Sequence, residues 1–261
     1  MIPGEYFLMM MGGALIALVL PAAAALCWRK YSLNVPAAFF GVLAYVAMVL
    51  LLEPLIRSKV LSPVFAQNLA IYILAAALCA AVLEESSKFF SYLILQQTFR
   101  GPGVGISVGL GFGGCASVVL CLQLIAQIRD CNTVNTAAAE LPPAEAEAFL
   151  QSILQVEPIY FLLSSVDRLP EIILQTAFAL IVWYAFAHGR PLWLAGAVLL
   201  RVAAELPQGV MQIQGVNNLL LAEIVVFGTA FAALALAWSL CRPDLLKAQK
   251  ERSPKIKFEI E

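Results

Sequence analysis

The sequence predicts an all-α fold, a polytopic transmembrane helical bundle of about seven helices with the N-terminus outside and the C-terminus inside. Three observations carry this. Of 261 residues, 62% are hydrophobic and only 13% are charged, too few charges to solvate a soluble domain of this size. Apolar runs of about 20 residues recur along the chain, each long enough to cross a bilayer. Inside lipid a segment must satisfy its own backbone hydrogen bonds, so these runs are helices; the short alternating segments of a barrel are absent.

The elements follow in order. The first helix is expected over Tyr6–Trp28, ending at Arg29-Lys30. It lacks a basic leader and is longer than the apolar core of a signal peptide. The second spans Val35–Ile56, flanked by Arg57 and Lys59; the third spans Asn68–Gln97; the fourth spans Gly103–Ile128. A polar stretch follows to about Glu157. Within it Pro142-Pro143 precede AEAEAFLQSIL, a helix start whose Phe149, Leu150, Ile153 and Leu154 suit a membrane surface, a linker helix or a lid. The fifth helix starts at Ile159 or Asp167 and ends at Ala187; the sixth spans Leu192–Ile213 and the seventh Asn217–Leu240. The resulting organisation is a transmembrane domain over 1–241, with 130–157 as an extracytoplasmic loop, and a charged cytoplasmic tail over 242–261.

Orientation rests on lysine and arginine. With the N-terminus outside, Arg29, Lys30, Arg100, Arg190, Arg242, Lys247, Lys250, Arg252, Lys255 and Lys257 lie inside, against Arg57, Lys59, Arg129 and Arg168 outside. The expected location is the cell membrane. The expected partners are the lipid bilayer and a transmembrane peptide or membrane protein. A net charge of −1 excludes a basic body for nucleic acid. Cys27, Cys79, Cys115, Cys121, Cys131 and Cys241 show no CxxC spacing and are read as packing residues.

Charge inside a bilayer is costly and marks function or pairing. Glu84, Glu85 and Lys88 fall on the third helix; Asp167, Arg168 and Glu171 open the fifth; Arg201 and Glu205 fall on the sixth; Glu223 is on the seventh. On the third helix Glu84 and Glu85 point about 100° apart, so one can pair with Lys88 while the other faces a different helix. Arg201, Glu205, Gln208 and Gln212 form a polar stripe on the sixth helix, near Pro207. The six acids against three bases leave an excess of three, which suits an internal polar cavity. Paired ions that only fix helix register are the plainer alternative. On the fourth helix Gly101, Gly105, Gly109 and Gly113 recur every four residues, a groove for close helix packing.

The order EExxK, then a glycine-rich helix with GFGG, then DRLPEIILQTAFALIVWYAF, then a polar-striped helix resembles the YhfC family, similar to the CAAX-protease and bacteriocin-processing group of intramembrane metalloproteases. The resemblance runs from about Leu83 to Trp238. It implies a glutamate of the Glu84-Glu85 pair that activates water at a metal, with zinc as cofactor if the family activity is retained. It also implies metal-binding histidines where this chain has Phe112 and Arg201, and a glutamate where it has Ala116. Asp167-Arg168 falls on the family's acidic-Arg pair, and Glu205 on the acidic position after the later histidine. The single histidine, His188, lies in the loop beside Gly189, Arg190 and Pro191 and is read as interfacial. A catalytic zinc needs about three protein ligands and an open position.

The resulting expectation is a metal-free pseudoprotease: no cofactor, a degenerate Glu84/Glu85 site, Arg201 paired with one of those glutamates, and a membrane segment or partner protein bound instead of cleaved. The alternatives are an active intramembrane metalloprotease using Glu84 and Glu85 as general base and acid, and a proton- or cation-coupled transporter.

Overall fold

Prolines and asparagines set the helix boundaries in the computed structural model, which describes residues 1–31, 33–65, 67–136, 143–214 and 219–252, without the side chains of 143–146, 208–214, 219–223 and 251–252. α1 spans Gly4–Trp28. α2 (Val35–Tyr45) starts at Asn34, whose side chain accepts from the Ala37 N–H while its own N–H donates to Ser107 Oγ. The helix then continues through a π-helical run, Val46–Leu52, a short α3 (Glu53–Ile56), a second π-helical run, Arg57–Leu61, and α4 (Ser62–Phe65). Each π run ends just before a proline, Pro54 or Pro63. Proline brings no N–H to the ladder and crowds the preceding turn. The residue before it reaches back five positions instead, Glu53 N–H to Met48 O and Ser62 N–H to Arg57 O.

α5 (Leu69–Leu95) starts at Asn68, whose side chain caps Ile71 N–H. α6 spans Pro102–Thr136, α7 Pro143–Leu154, α8 Ile159–Val166, α9 Arg168–Ala187, α10 Leu192–Gln214 and α11 Leu219–Arg252. No strand occurs among the described residues. Six helical stretches among them are long and apolar enough to cross a membrane: Gly4–Tyr31, Val35–Phe65, Leu69–Leu95, Pro102–Thr136, Ile159–Ala187 and Ile224–Lys250. α10, carrying Arg201 and Glu205 in mid-helix, is the seventh long helix.

Two helices outrun the expected ends. α6 continues past Ile128 because Cys131 and Val134 are buried and Asn135 bonds both the N–H and the C=O of Ile2. α11 continues past Leu240 because Cys241 and Leu245, one turn apart, are both fully buried.

The chain forms two compact units. The first comprises Met1–Ala23 and Gly114–Leu169. Its core is a stripe of α1 (Tyr6, Met10, Ala14, Ala17) against Cys121, Leu124 and Cys131 of α6, Phe161 of α8 and Ile153 of α7. Phe149 and Leu150 pack against this core, while Leu154 is exposed. The apolar face of α7 therefore belongs largely to the packing of its own unit.

The second unit comprises Ala24–Gly113 and Pro170–Glu261. Here α6 lies between α9 and α2. A Cβ at Gly109 would stand 2.5 Å from Thr176 Cα on α9, and one at Gly111 would collide with the Ala38 carbonyl on α2. Gly109 of the glycine stripe, and Gly111 outside it, are packing requirements. α5 meets α10 through Ala77, Ala81 and Val202, and Tyr92 Oη donates to Ala179 O of α9 at 2.8 Å.

Candidate functional site

The buried face of α5 changes character along its length. Ala76, Ala77, Ala80 and Ala81 allow close packing, and the next turns carry Glu84, Glu85, Ser87, Lys88 and Ser91, all buried. Two separate polar centres result. In one, Lys88 Nζ lies 2.6 Å from Glu85 Oε1, and both residues are fully buried. The ammonium also lies 4.9 Å from the centre of the Phe112 ring and 6.0 Å from that of Phe178, a cation held by aromatic faces as well as a carboxylate. Phe112 in turn meets Tyr45 edge-on.

The other centre is built around Arg201 of α10. Its Nη2 lies 3.3 Å from Glu84 Oε2 and 3.4 Å from Glu171 Oε1, and its Nε lies 2.9 Å from Glu205 Oε1. Gln175, one turn after Glu171 on α9, donates through Nε2 to Glu84 Oε2 at 2.7 Å and to Glu171 Oε1 at 2.8 Å. Three carboxylates from three helices thus converge on one guanidinium. The fork geometry of the guanidinium serves several oxygens at once, which a lysine would do less well.

Arg201 therefore pairs with Glu84, while Glu85 pairs with Lys88 three residues on. The same cluster lines a cavity of about 570 Å³ in the second unit, together with Glu53 and Arg57 and an apolar wall that includes Ala76, Ala77, Ala80, Ala204 and Leu174. Glu53 and Arg57 form their own ion pair at 2.5 Å. The cavity wall carries four carboxylates and two guanidiniums, a formal excess of two negative charges.

Among the residues singled out in the sequence, the structure groups Glu84, Glu171, Arg201 and Glu205 in one centre and Glu85, Lys88 and Phe112 in the other. Asp167 and Arg168 belong to the first unit, at the break between α8 and α9. The side chains of Glu223, Gln208 and Gln212 lie outside the described residues. His188 stacks on Tyr184 at 4.3 Å and places Nε2 3.5 Å from Asp244 Oδ2 of α11. Sequence reasoning missed Glu53, Arg57 as a cavity wall, and Gln175. The first two were visible as opposite charges four apart near the end of an apolar run. Gln175 was visible only as a polar residue one helical turn after Glu171.

The donor set decides whether a zinc ion fits here. Histidine and cysteine are missing from the cluster, and the carboxylates at its centre already share a permanent cation. No group of three or more His, Cys, Asp or Glu residues is placed to hold a metal among the described residues. A catalytic zinc site would need about three such ligands and an open position for water. The described residues of this cluster do not match that donor set.

A profile of the family described as YhfC intramembrane metalloprotease matches residues 15–226. The chain is 25% identical, over 238 residues, to the uncharacterized membrane protein YhfC of Bacillus subtilis (strain 168), covering 85% of this chain and 91% of that protein. No solved structure matches the chain. With its apolar helices, its glutamate-bearing α5 and a family match over most of its length, this multi-pass membrane protein belongs to the YhfC intramembrane metalloprotease family.

Proposed function

We propose that this chain is a metal-free member of its family that binds a membrane segment or partner membrane protein without cleaving it. The observation that supports this reading is the Arg201 guanidinium shared by Glu84, Glu171 and Glu205. The positive charge that a metal would bring among these carboxylates is supplied by a side chain that does not dissociate. Nor does the second centre offer a free general base. Glu85 is buried against Lys88, and Phe112 covers the ammonium.

The cavity supports a binding role. It combines an alanine-rich wall, suited to close approach of a helix, with charged groups that recognise polar atoms. The test is cleavage of transmembrane peptide substrates by purified chain in proteoliposomes, with and without EDTA, alongside Glu85→Gln. No cleavage above the Glu85→Gln background is expected. Metal-dependent hydrolysis that disappears in Glu85→Gln overturns the proposal in favour of an active protease.

One observation favours a second reading. The two uncompensated negative charges on the cavity wall suit a proton or a small cation, as in a coupled transporter. Flux into proteoliposomes that follows a pH gradient and stops in Glu84→Gln would establish that reading; absence of flux removes it.

A further inference from the structure

A second cavity, of about 310 Å³, opens where α5 ends and α6 begins. Leu95, Gln96, Phe99, Arg100, Val104, Trp183 and Phe186 contribute to its wall. We infer that it binds the headgroup of an anionic phospholipid, with Arg100 as the contact to the phosphate.

Arg100 is the single charged residue of the wall and has no ion-pair partner among the described residues. Around it the wall is mostly apolar and aromatic, and Gln96 donates through Nε2 to Leu93 O at 3.0 Å. Tyr92 Oη, which also lines the cavity, already donates to Ala179 O. The charge of the wall is therefore cationic, set in a mostly apolar surround at the end of a membrane-spanning helix. An amphiphile with a negative head fits that combination, and tryptophan is the residue type that belongs at headgroup level.

The charge of the surrounding surface agrees. His188, one residue beyond the cavity-lining Ala187, reaches Asp244 of α11. This places Arg190 and Arg242 at the same end of the second unit. Asp244, two residues from Arg242, is engaged by His188. A basic surface beside a bilayer attracts anionic lipid. The α6 helix begins at Pro102 beside the cavity, and the positive end of its dipole adds to the attraction. The room suffices for a glycerophosphate group and not for a whole lipid. The acyl chains then run along the helix surface, where Phe90 and Ile94 of α5 are exposed. A free phosphate ion gains nothing from the apolar walls, so the occupant is a lipid.

The experiment measures lipid retention by native mass spectrometry of the full chain, exchanged into micelles doped with equal phosphatidylglycerol and phosphatidylcholine. Wild type is expected to retain phosphatidylglycerol preferentially. Arg100→Gln is expected to lower that retention about fivefold, the effect of one basic residue at a membrane surface. Val104→Phe, which fills the cavity and keeps Arg100, should lower it similarly, and Arg242→Gln, outside the cavity wall, should lower it clearly less than Arg100→Gln does. Unfolding temperatures of the variants without added lipid show that each is folded. Equal retention of the two lipids, an unchanged Arg100→Gln, or an equal loss in Arg242→Gln overturns the inference. Displacement of the lipid by millimolar inorganic phosphate does so too, because it assigns the site to a free anion.

Discussion

Replacing Arg201 with methionine removes the charge and keeps most of the side-chain length. Arg201 and Glu84 are each about 5% exposed. Breaking a buried pair by removing one partner typically costs about 3–5 kcal/mol. The carboxyl side chains of Glu171 and Glu205 are 26% and 27% exposed, so water recovers part of their loss. Gln175 still donates to Glu84, which is worth about 1 kcal/mol. The expected destabilisation therefore falls at the lower end, about 3 kcal/mol. Adding Glu84→Gln in the same chain removes the orphaned charge and should restore about 2 kcal/mol, the size of coupling expected between direct partners. Unfolding by SDS in mixed micelles, applied to wild type, both single variants and the double variant, measures this cycle. A loss below about 1 kcal/mol in Arg201→Met, with no coupling to Glu84, would refute the reasoning. It would mean that the carboxylates are balanced by protons or another cation rather than by Arg201.

Other outcomes follow from the same structure. Lys88→Met should destabilise the chain by at least about 3 kcal/mol, because Glu85 has no water to turn to, and Glu85→Gln with Lys88→Met should recover much of it in the same titration. Gly111→Val should prevent α6 from seating on Ala38 and abolish a monodisperse peak in size-exclusion chromatography, whereas Gly228→Ala, where an added Cβ meets nothing within 4 Å, should leave it unchanged. Gly101→Ala places a side chain at φ +94° and should cost about 1 kcal/mol by SDS unfolding. His188→Ala breaks only a part-exposed pair with Asp244 and should change stability by less than about 1 kcal/mol.

Much of this architecture was legible because hydropathy and helix period are local signals. The long helices stand where apolar runs predicted them, and the Glu84, Arg201 and Glu205 spacings identified faces that do converge. The pairing was not legible. Glu84 and Lys88, four apart, invite an intrahelical pair, yet Lys88 pairs with Glu85, because Arg201 of α10 and Gln175 of α9 draw Glu84 towards them. That choice depends on how three helices pack, which no single-helix pattern contains. The π-helical turns around Pro54 were equally hidden. They arise where proline breaks the ladder, and the span carries Glu53 and Arg57 to the cavity wall. Extensions of α6 and α11 depend on tertiary burial of Cys131, Cys241 and Leu245, beyond the point where polar residues suggest an end.

The central claim is that a side-chain cation stands where the family's metal would be held. Zinc content of the purified full chain, measured by inductively coupled plasma mass spectrometry after dialysis against zinc-buffered solution, tests it most directly, with Arg201→His and Phe112→His/Arg201→His as companions. The account predicts far less than one zinc per wild-type chain, and no gain in Phe112→His/Arg201→His beyond Arg201→His, because position 112 faces the Lys88 ammonium. One zinc per wild-type chain, lost when Glu84 is changed to glutamine, would contradict it.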